Sequence, residues 1–374
     1  METYRQTIYC DLGFLETILS KQDCETSCLD NSLCIDKEIV TNIRELLLSK
    51  DVNLYLNVSQ DEYDNILKGI ERKRKNAYKK GKEPDLTPFE KKMLDIDIKR
   101  LEGLLHLHVN EAKVQFDETL NQDKFLNALF FSSEPKEACT KAMEEFGVII
   151  ICIENINDFK YLIFDHCVAL HRKEDANWKE CLSKKGITIP CNSLVIVDNY
   201  LLNDSSSIEE NLTQIFDALL PRKLNKELTF QLTLFASLSN DRGIPYNSKN
   251  RLHQITDILE RLRPEINFSV SIVKCSKDKF HDRTIATSNL YICCGGGFDL
   301  FKHGKAQKTT IVCAFHPFLY THSNWSRKAY SDFLNDACSV FNETTLFDET
   351  NMNDSFPNFT IGERQNRLLS QIKP

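Results

Sequence analysis

The stretch SLVIVDNYLL at 193–202 decides how the rest of the chain is read. It is an apolar, strand-like run that follows a loop signal at Gly186 and Pro190 and closes on Asp198, Asn199 and Tyr200. Ser205, Ser206 and Ser207 then precede IEENLTQIFDALL, a capped helix. TFQLTLFASL at 229–238 is the next strand, a charged amphipathic helix covers 249–263, and INFSVSIVKC at 266–275 is another strand. Strand, helix, strand, helix, strand is an α/β layer pattern with connections long enough for crossovers, and the module is expected to end in antiparallel strands.

Upstream the same alternation is looser. QTIYCDLGFLETIL at 6–19 reads as a strand running into a helix, with Asp11 at the strand's end. Helical spacing covers 36–49 and a strand is expected at 52–58. Ser59 and Glu62 have the spacing of a reciprocal helix cap. The basic block at 72–80 reads first as an exposed helical face or a mobile loop, with nucleic-acid contact as the alternative. EKKMLDIDIKRLEGLLHLHV at 90–109 is expected to be one amphipathic helix, on which His106 and His108 face different ways. FGVIIICIE at 146–154 has the continuous apolar run of a parallel-sheet strand, and YLIFDHCVAL at 161–170 is strand-like. The expected division is an N-terminal α/β or mostly helical module at 1–175, a second module at 185–345 and an irregular tail at 346–374.

The 374 residues are enough for two cores, and 41% hydrophobic content with 10% aromatic content excludes a wholly disordered chain. A net charge of -7 gives no global basic field, although it leaves room for a local basic groove. The opening METYRQTIYCDLGF lacks a basic region followed by a long apolar stretch, and no run of 18 apolar residues occurs. A cytoplasmic protein with no transmembrane segment is therefore expected. The 14 cysteines are read as free thiols in a reducing compartment, Cys152, Cys293, Cys294 and Cys313 lying inside apolar runs. No cofactor is expected, and Cys24, Cys28 and Cys34 lack an obvious fourth zinc ligand.

Chemistry concentrates in KFHDRTIATSNLYICCGGGFDLFKHGKAQKTTIVCAF at 279–315. His281 and Arg283 are two apart in an extended segment, so both side chains face the same way. A neutral imidazole can attack phosphorus or accept a proton, and a guanidinium can hold a phosphate through paired contacts. Gly295, Gly296 and Gly297 follow an apolar strand, permit close approach, and could offer amides to a phosphate. Asp299 could orient His281 or pair with Arg283, and Lys302, His303 and Lys305 could form a weakly basic rim. His316 and His322 are further proton-donor candidates. Against this stands a purely structural alternative, in which His281 bonds backbone, Arg283 pairs with an acid and the glycines make a tight turn.

This arrangement resembles the phospholipase-D-like superfamily, over 190–335. The family's motif is a His and a Lys two apart, an Asp after four more residues, and a Gly-Ser turn beyond a further strand. His281 takes the first position, Arg283 stands for the lysine, Ser288 for the aspartate, and Gly295 and Gly296 for the turn. The resemblance implies a mixed-sheet half in which His281 is nucleophile or general base, with Arg283 and the glycine amides stabilising negative charge. It also implies that two motifs meet, here through a homodimer, and that the substrate is a phosphodiester, with nucleic acid favoured over lipid. A catalytically inactive scaffold or a partner-binding protein on the same fold is the alternative. The opening strand faintly resembles PIN-like nucleases, which implies a magnesium site where Asp11, Glu62 and Glu145 would meet.

Overall fold

The computed structural model describes residues 5–20, 36–49, 52–95, 106–108, 113–115, 126–162, 166–182, 189–237, 248–275, 279–280, 282–319, 323–343, 358–361 and 364–370. The chain is an α/β protein in two compact units, one of Arg5–Ala142 with Ile150–Lys160, the other chiefly Met143–Ile149 with the residues from Tyr161 onward.

The first unit contains β1 (Gln6–Asp11), α1 (Leu12–Ser20), α2 (Lys37–Leu48), β2 (Val52–Asn57), α3 (Gln60–Lys79) and α4 (Pro88–Asp95). A ribbon of β3 (His106–His108) and β4 (Lys113–Gln115) follows, then β5 (Leu129–Ser132), α5 (Lys136–Phe146) and β6 (Ile149–Cys152). The four-stranded sheet runs β2-β1-β5-β6, with β1 parallel to both neighbours. A central strand covered on both faces has no solvent side, and every residue of β1 is buried. In α2 the buried Ile39, Ile43, Leu46 and Leu47 repeat at helical spacing, and Asp36 caps the start by accepting the Glu38 N–H. Ser59 and Glu62 form the expected reciprocal cap of α3. The helix expected over 90–109 does not run its full length: α4 covers Pro88–Asp95, His106–His108 is a strand paired with β4, and residues 96–105 lie outside the described residues.

The second unit contains β7 (His166–Leu170), α6 (Trp178–Leu182) and β8 (Ser193–Val197). A continuous helix α7 is built of Ser205–Ser207, a π-helical stretch Ile208–Leu212, and Thr213–Leu219. Next come β9 (Thr229–Ala236), α8 (Ser248–Leu262), β10 (Asn267–Lys274), β11 (Thr284–Ala286), β12 (Tyr291–Cys294), the ribbon β13 (Phe301–Lys302) and β14 (Lys305–Ala306), and β15 (Thr310–Phe315). The long α9 (Ser323–Glu343), β16 (Phe359–Ile361) and α10 (Arg367–Ser370) complete it. The eight-stranded sheet has the order β16-β10-β9-β8-β11-β12-β15-β7. Its first four strands are mutually parallel, and from β8 onward every pair is antiparallel.

Three expectations need correction here. The strand-like stretch at 161–170 is expected in the N-terminal module, but β7 is the edge of the second unit's sheet, paired with β15. The tail at 346–374 is not irregular throughout. Its β16 pairs with β10, and buried Arg367 donates to the carbonyls of Asn192 (3.3 Å) and Thr229 (2.8 Å). Cys313 is not a free thiol, because the antiparallel register sets it opposite Cys167 and the two form a disulfide with Cα atoms 4.2 Å apart. Among the described residues no helix is long and apolar enough to cross a membrane.

Candidate phosphate site at the carboxyl end of β8

Pairing register, strand by strand, assembles the site. β8 ends at Val197, which lies opposite Thr284, so Asp198 and Arg283 leave the sheet at the same edge. Thr284 lies opposite Cys293, and the Cys294 N–H donates to the Arg283 carbonyl (3.1 Å), which brings Gly295–Gly297 to that edge as well. Cys294 lies opposite Val312, and Thr310 Oγ1 accepts the Gly296 N–H at 2.9 Å. The edge is the carboxyl end of β8, at the point where the sheet changes from parallel to antiparallel pairing. Open α/β sheets bind ligands outside the carboxyl ends of such strands.

Asp198 organises this edge. It is buried, and its Oδ1 accepts the N–H groups of Tyr200 (2.7 Å) and Leu201 (3.2 Å). Its Oδ2 accepts the Phe298 N–H at 2.5 Å, joining the end of β8 to the glycine turn. Burial pushes the Asp198 carboxyl above its ordinary pKa; the Phe298 and Tyr200 amides pull it back, Asp299 adds to the rise, and Arg283 opposes it. Gly297 has φ 86°, and a Cβ there would lie 3.0 Å from Asp299 Oδ1 and 3.1 Å from Asp198 Oδ2. Only glycine suits both the backbone and the space. The turn is held from behind by Trp178, whose ring lies 5.4 Å from that of Phe298 and 5.2 Å from that of Phe301. The Trp178 indole N–H donates to Asn211 in the π-helical stretch, and Asn211 also exchanges hydrogen bonds with both backbone groups of Phe301.

Two cations border the turn. The half-buried Arg283 has its guanidinium 5.6 Å from the centre of the Tyr200 ring. Lys308 donates to the Gly296 carbonyl (2.7 Å) and pairs with Asp299 Oδ1 (3.2 Å). The sequence reading did not single out Lys308 or Thr310, which act through contacts set by the β12–β15 pairing. It noted Asp198 only as a strand end.

Of the residues expected to act, Arg283, Gly295, Gly296, Gly297 and Asp299 meet at this edge, while His281 lies outside the described residues. Ser288 is elsewhere. The register Ala286↔Tyr291 puts it in the hairpin turn at the other end of β11, about 16 Å along extended chain from Arg283. It is buried there, and its hydroxyl has no hydrogen-bond partner among the described residues. The glycine amides also differ from expectation. The Gly296 N–H is given to Thr310, and the Gly297 N–H to the Cys294 carbonyl (3.1 Å), so neither is available to a phosphate. Lys305 pairs with Asp175 at 2.7 Å, and His303 and Gly304 donate their N–H groups to Glu210.

The expected N-terminal magnesium triad does not assemble. Asp11 accepts from Asn57, Ser132 and Ser133, whereas the Glu62 carboxylate is occupied in capping α3 and Glu145 lies in the last turn of α5. Among the described residues, no three or more His, Cys, Asp or Glu side chains are grouped to hold a metal ion.

His316 follows β15, at the edge opposite Thr310. Its buried ring accepts the N–H groups of Phe318 (3.1 Å) and Leu319 (3.0 Å) on Nδ1, which leaves the proton on Nε2. Burial, with a smaller contribution from Arg327, pushes its pKa down to about 3. The unfolded chain takes up this proton near pH 6.5 and the folded one does not. Stability is therefore lost as pH falls, by about 1.4 kcal/mol per unit between about 6.5 and 3. Thermal melts from pH 7 to 4.5 are expected to show this slope, and His316→Asn to remove it.

No known protein-family model matches this chain, and no curated protein is similar to it in sequence.

Proposed function

We propose that the second unit is a phospholipase-D-like, phosphate-ester-binding domain whose site is the carboxyl edge of β8. The observation that carries this reading is the register that sets Arg283 and Lys308 on either side of the glycine turn, with buried Asp198 fixing the turn from beneath. A guanidinium presents a planar pair of donors to a phosphate, and a lysine ammonium adds a compact charge beside it. Binding is carried by side chains, since two of the turn's amides are spent internally. Nucleic acid is the favoured phosphodiester, and on the first unit the exposed Arg72, Lys75 and Lys79, at i, i+3 and i+7 of α3, supply a local cationic face. Turnover would require His281 as nucleophile, with a second copy of the chain bringing its own His281.

The test is binding and cleavage of labelled single-stranded DNA, duplex DNA and RNA, with and without magnesium. Arg283→Ala is expected to weaken binding about 10- to 100-fold, as loss of a charge-assisted contact implies. His281→Ala is expected to retain binding, and to lose any cleavage that persists in chelator. Unchanged binding in Arg283→Ala would refute the site. Metal-dependent cleavage that survives His281→Ala would move the chemistry to the first unit.

A further inference from the structure

Three adjacent strands carry a cysteine at the same level. Cys167 on β7 lies opposite Cys313 on β15, and Cys313 lies opposite Cys293 on β12. Directly opposed residues in antiparallel strands project to the same face, so the three sulfurs form a row across the sheet. The neighbouring positions confirm which face it is. Leu170, Ile292, Cys294, Val312 and Ala314 point into the core, whereas Cys167, Ala169 and Ile311 are exposed. Cys313 and Cys293 are half-buried, and among the described free cysteines every other one is buried.

The hydrogen-bond pattern fixes the spacings. Because Cys294 and Arg283 share a hydrogen bond, Cys293 turns its own backbone groups toward β15 and forms a hydrogen-bonded pair with Cys313. Such pairs have Cα atoms about 5.5 Å apart, inside the Cα span of a disulfide, and Cβ atoms about 5.5 Å apart, so bridging them draws the two strands together by about 1 Å. Cys167 and Cys293 are two strand spacings apart, about 9–10 Å, beyond that span. Only the middle sulfur can bond to either neighbour.

We propose that Cys167, Cys313 and Cys293 form a thiol–disulfide relay, in which the disulfide moves between Cys167–Cys313 and Cys313–Cys293. Cys293 loses its proton to solvent base and its thiolate attacks Cys313 Sγ. The Cys293–Cys313 bond forms as the Cys313–Cys167 bond breaks, and Cys167 leaves as a thiolate that takes up a proton. No net oxidation occurs, so the step needs no co-reactant. The Cys293 thiol is raised by burial and further by Cys294 and Asp282, while the Cys293 and Cys313 backbone amides lower it. Exchange is accordingly slow at neutral pH and faster in alkali. Its product is an exposed Cys167 thiol on an edge strand, open to a small thiol or disulfide from solution.

The experiment maps disulfide-linked peptides in the full-length chain after incubation at mildly alkaline pH without reductant. Thiols are blocked by alkylation, and the protein is then digested in acid to prevent scrambling. The wild type is expected to yield both the Cys167–Cys313 and the Cys293–Cys313 peptides. Supplied with oxidised glutathione, the two-electron oxidant that pairing two free thiols requires, Cys167→Ser should yield only the second peptide and Cys293→Ser only the first. Both substitutions are on strand positions that are not fully buried, and far-UV dichroism verifies the fold. Absence of the Cys293–Cys313 peptide from both wild type and Cys167→Ser would overturn the proposal. So would bonds from these residues to other cysteines, or a wild type in which all three stay reduced.

Discussion

Replacing Asp198 with alanine is expected to lower the unfolding free energy by about 3–5 kcal/mol, the range for removing one partner of a buried charged network. The carboxylate holds three N–H groups that have left the sheet, those of Tyr200, Leu201 and Phe298. Alanine leaves all three without this acceptor. Asp198→Asn should cost less, because its oxygen still accepts, but its NH2 must confront the remaining amides. Guanidinium unfolding with unchanged slope is the measurement, the change appearing in the midpoint alone. On the proposed function the variant should also lose phosphate-ester binding, since the glycine turn is no longer tied to β8. A loss under about 1 kcal/mol would mean that other groups take over the three amides.

Gly147→Ala is expected to be nearly as damaging, at about 3 kcal/mol or more. Gly147 follows α5 with φ 62°, and its N–H donates to the Met143 carbonyl at 3.0 Å, closing the helix. A Cβ there would lie 2.3 Å from the Cys191 carbonyl oxygen and 2.6 Å from its carbon. Those are backbone atoms just ahead of β8, with no side-chain rotation to relieve the clash. Gly147→Asn separates the two causes, since asparagine tolerates positive φ but still carries the Cβ. If asparagine melts with alanine, crowding dominates; if it melts near wild type, backbone strain does.

Local patterns in the sequence carried over well. The apolar runs at 193–197, 229–236 and 267–274 became β8, β9 and β10, and the Ser59–Glu62 spacing became a cap. These signals depend on periodicity or on groups a few residues apart. What escaped was pairing across distance. The partner of β7 lies 146 residues away at the Cys167–Cys313 level, and nothing in HCVAL names it. The same applies at the site. Arg283, Asp299 and the three glycines are close in sequence and stayed together, whereas Thr310 and Lys308 joined only through the β12–β15 register. Ser288 failed for the opposite reason. Spacing along the chain cannot tell that a hairpin reverses direction between residues 283 and 295, carrying the middle of the motif to the far edge.

The outer boundary of the parallel half of the large sheet has a consequence for synthesis. β10 is covered on its outer side by β16, and the adjoining Asn366 and Arg367 reach back to Thr233, Asn192 and Thr229. A ribosome delivers β8, β9 and β10 well before residue 359, so the growing chain carries an uncapped parallel edge with unpaired backbone groups. The segment that shields it emerges later, and a chain halted near residue 345 would leave that ladder open to a neighbour.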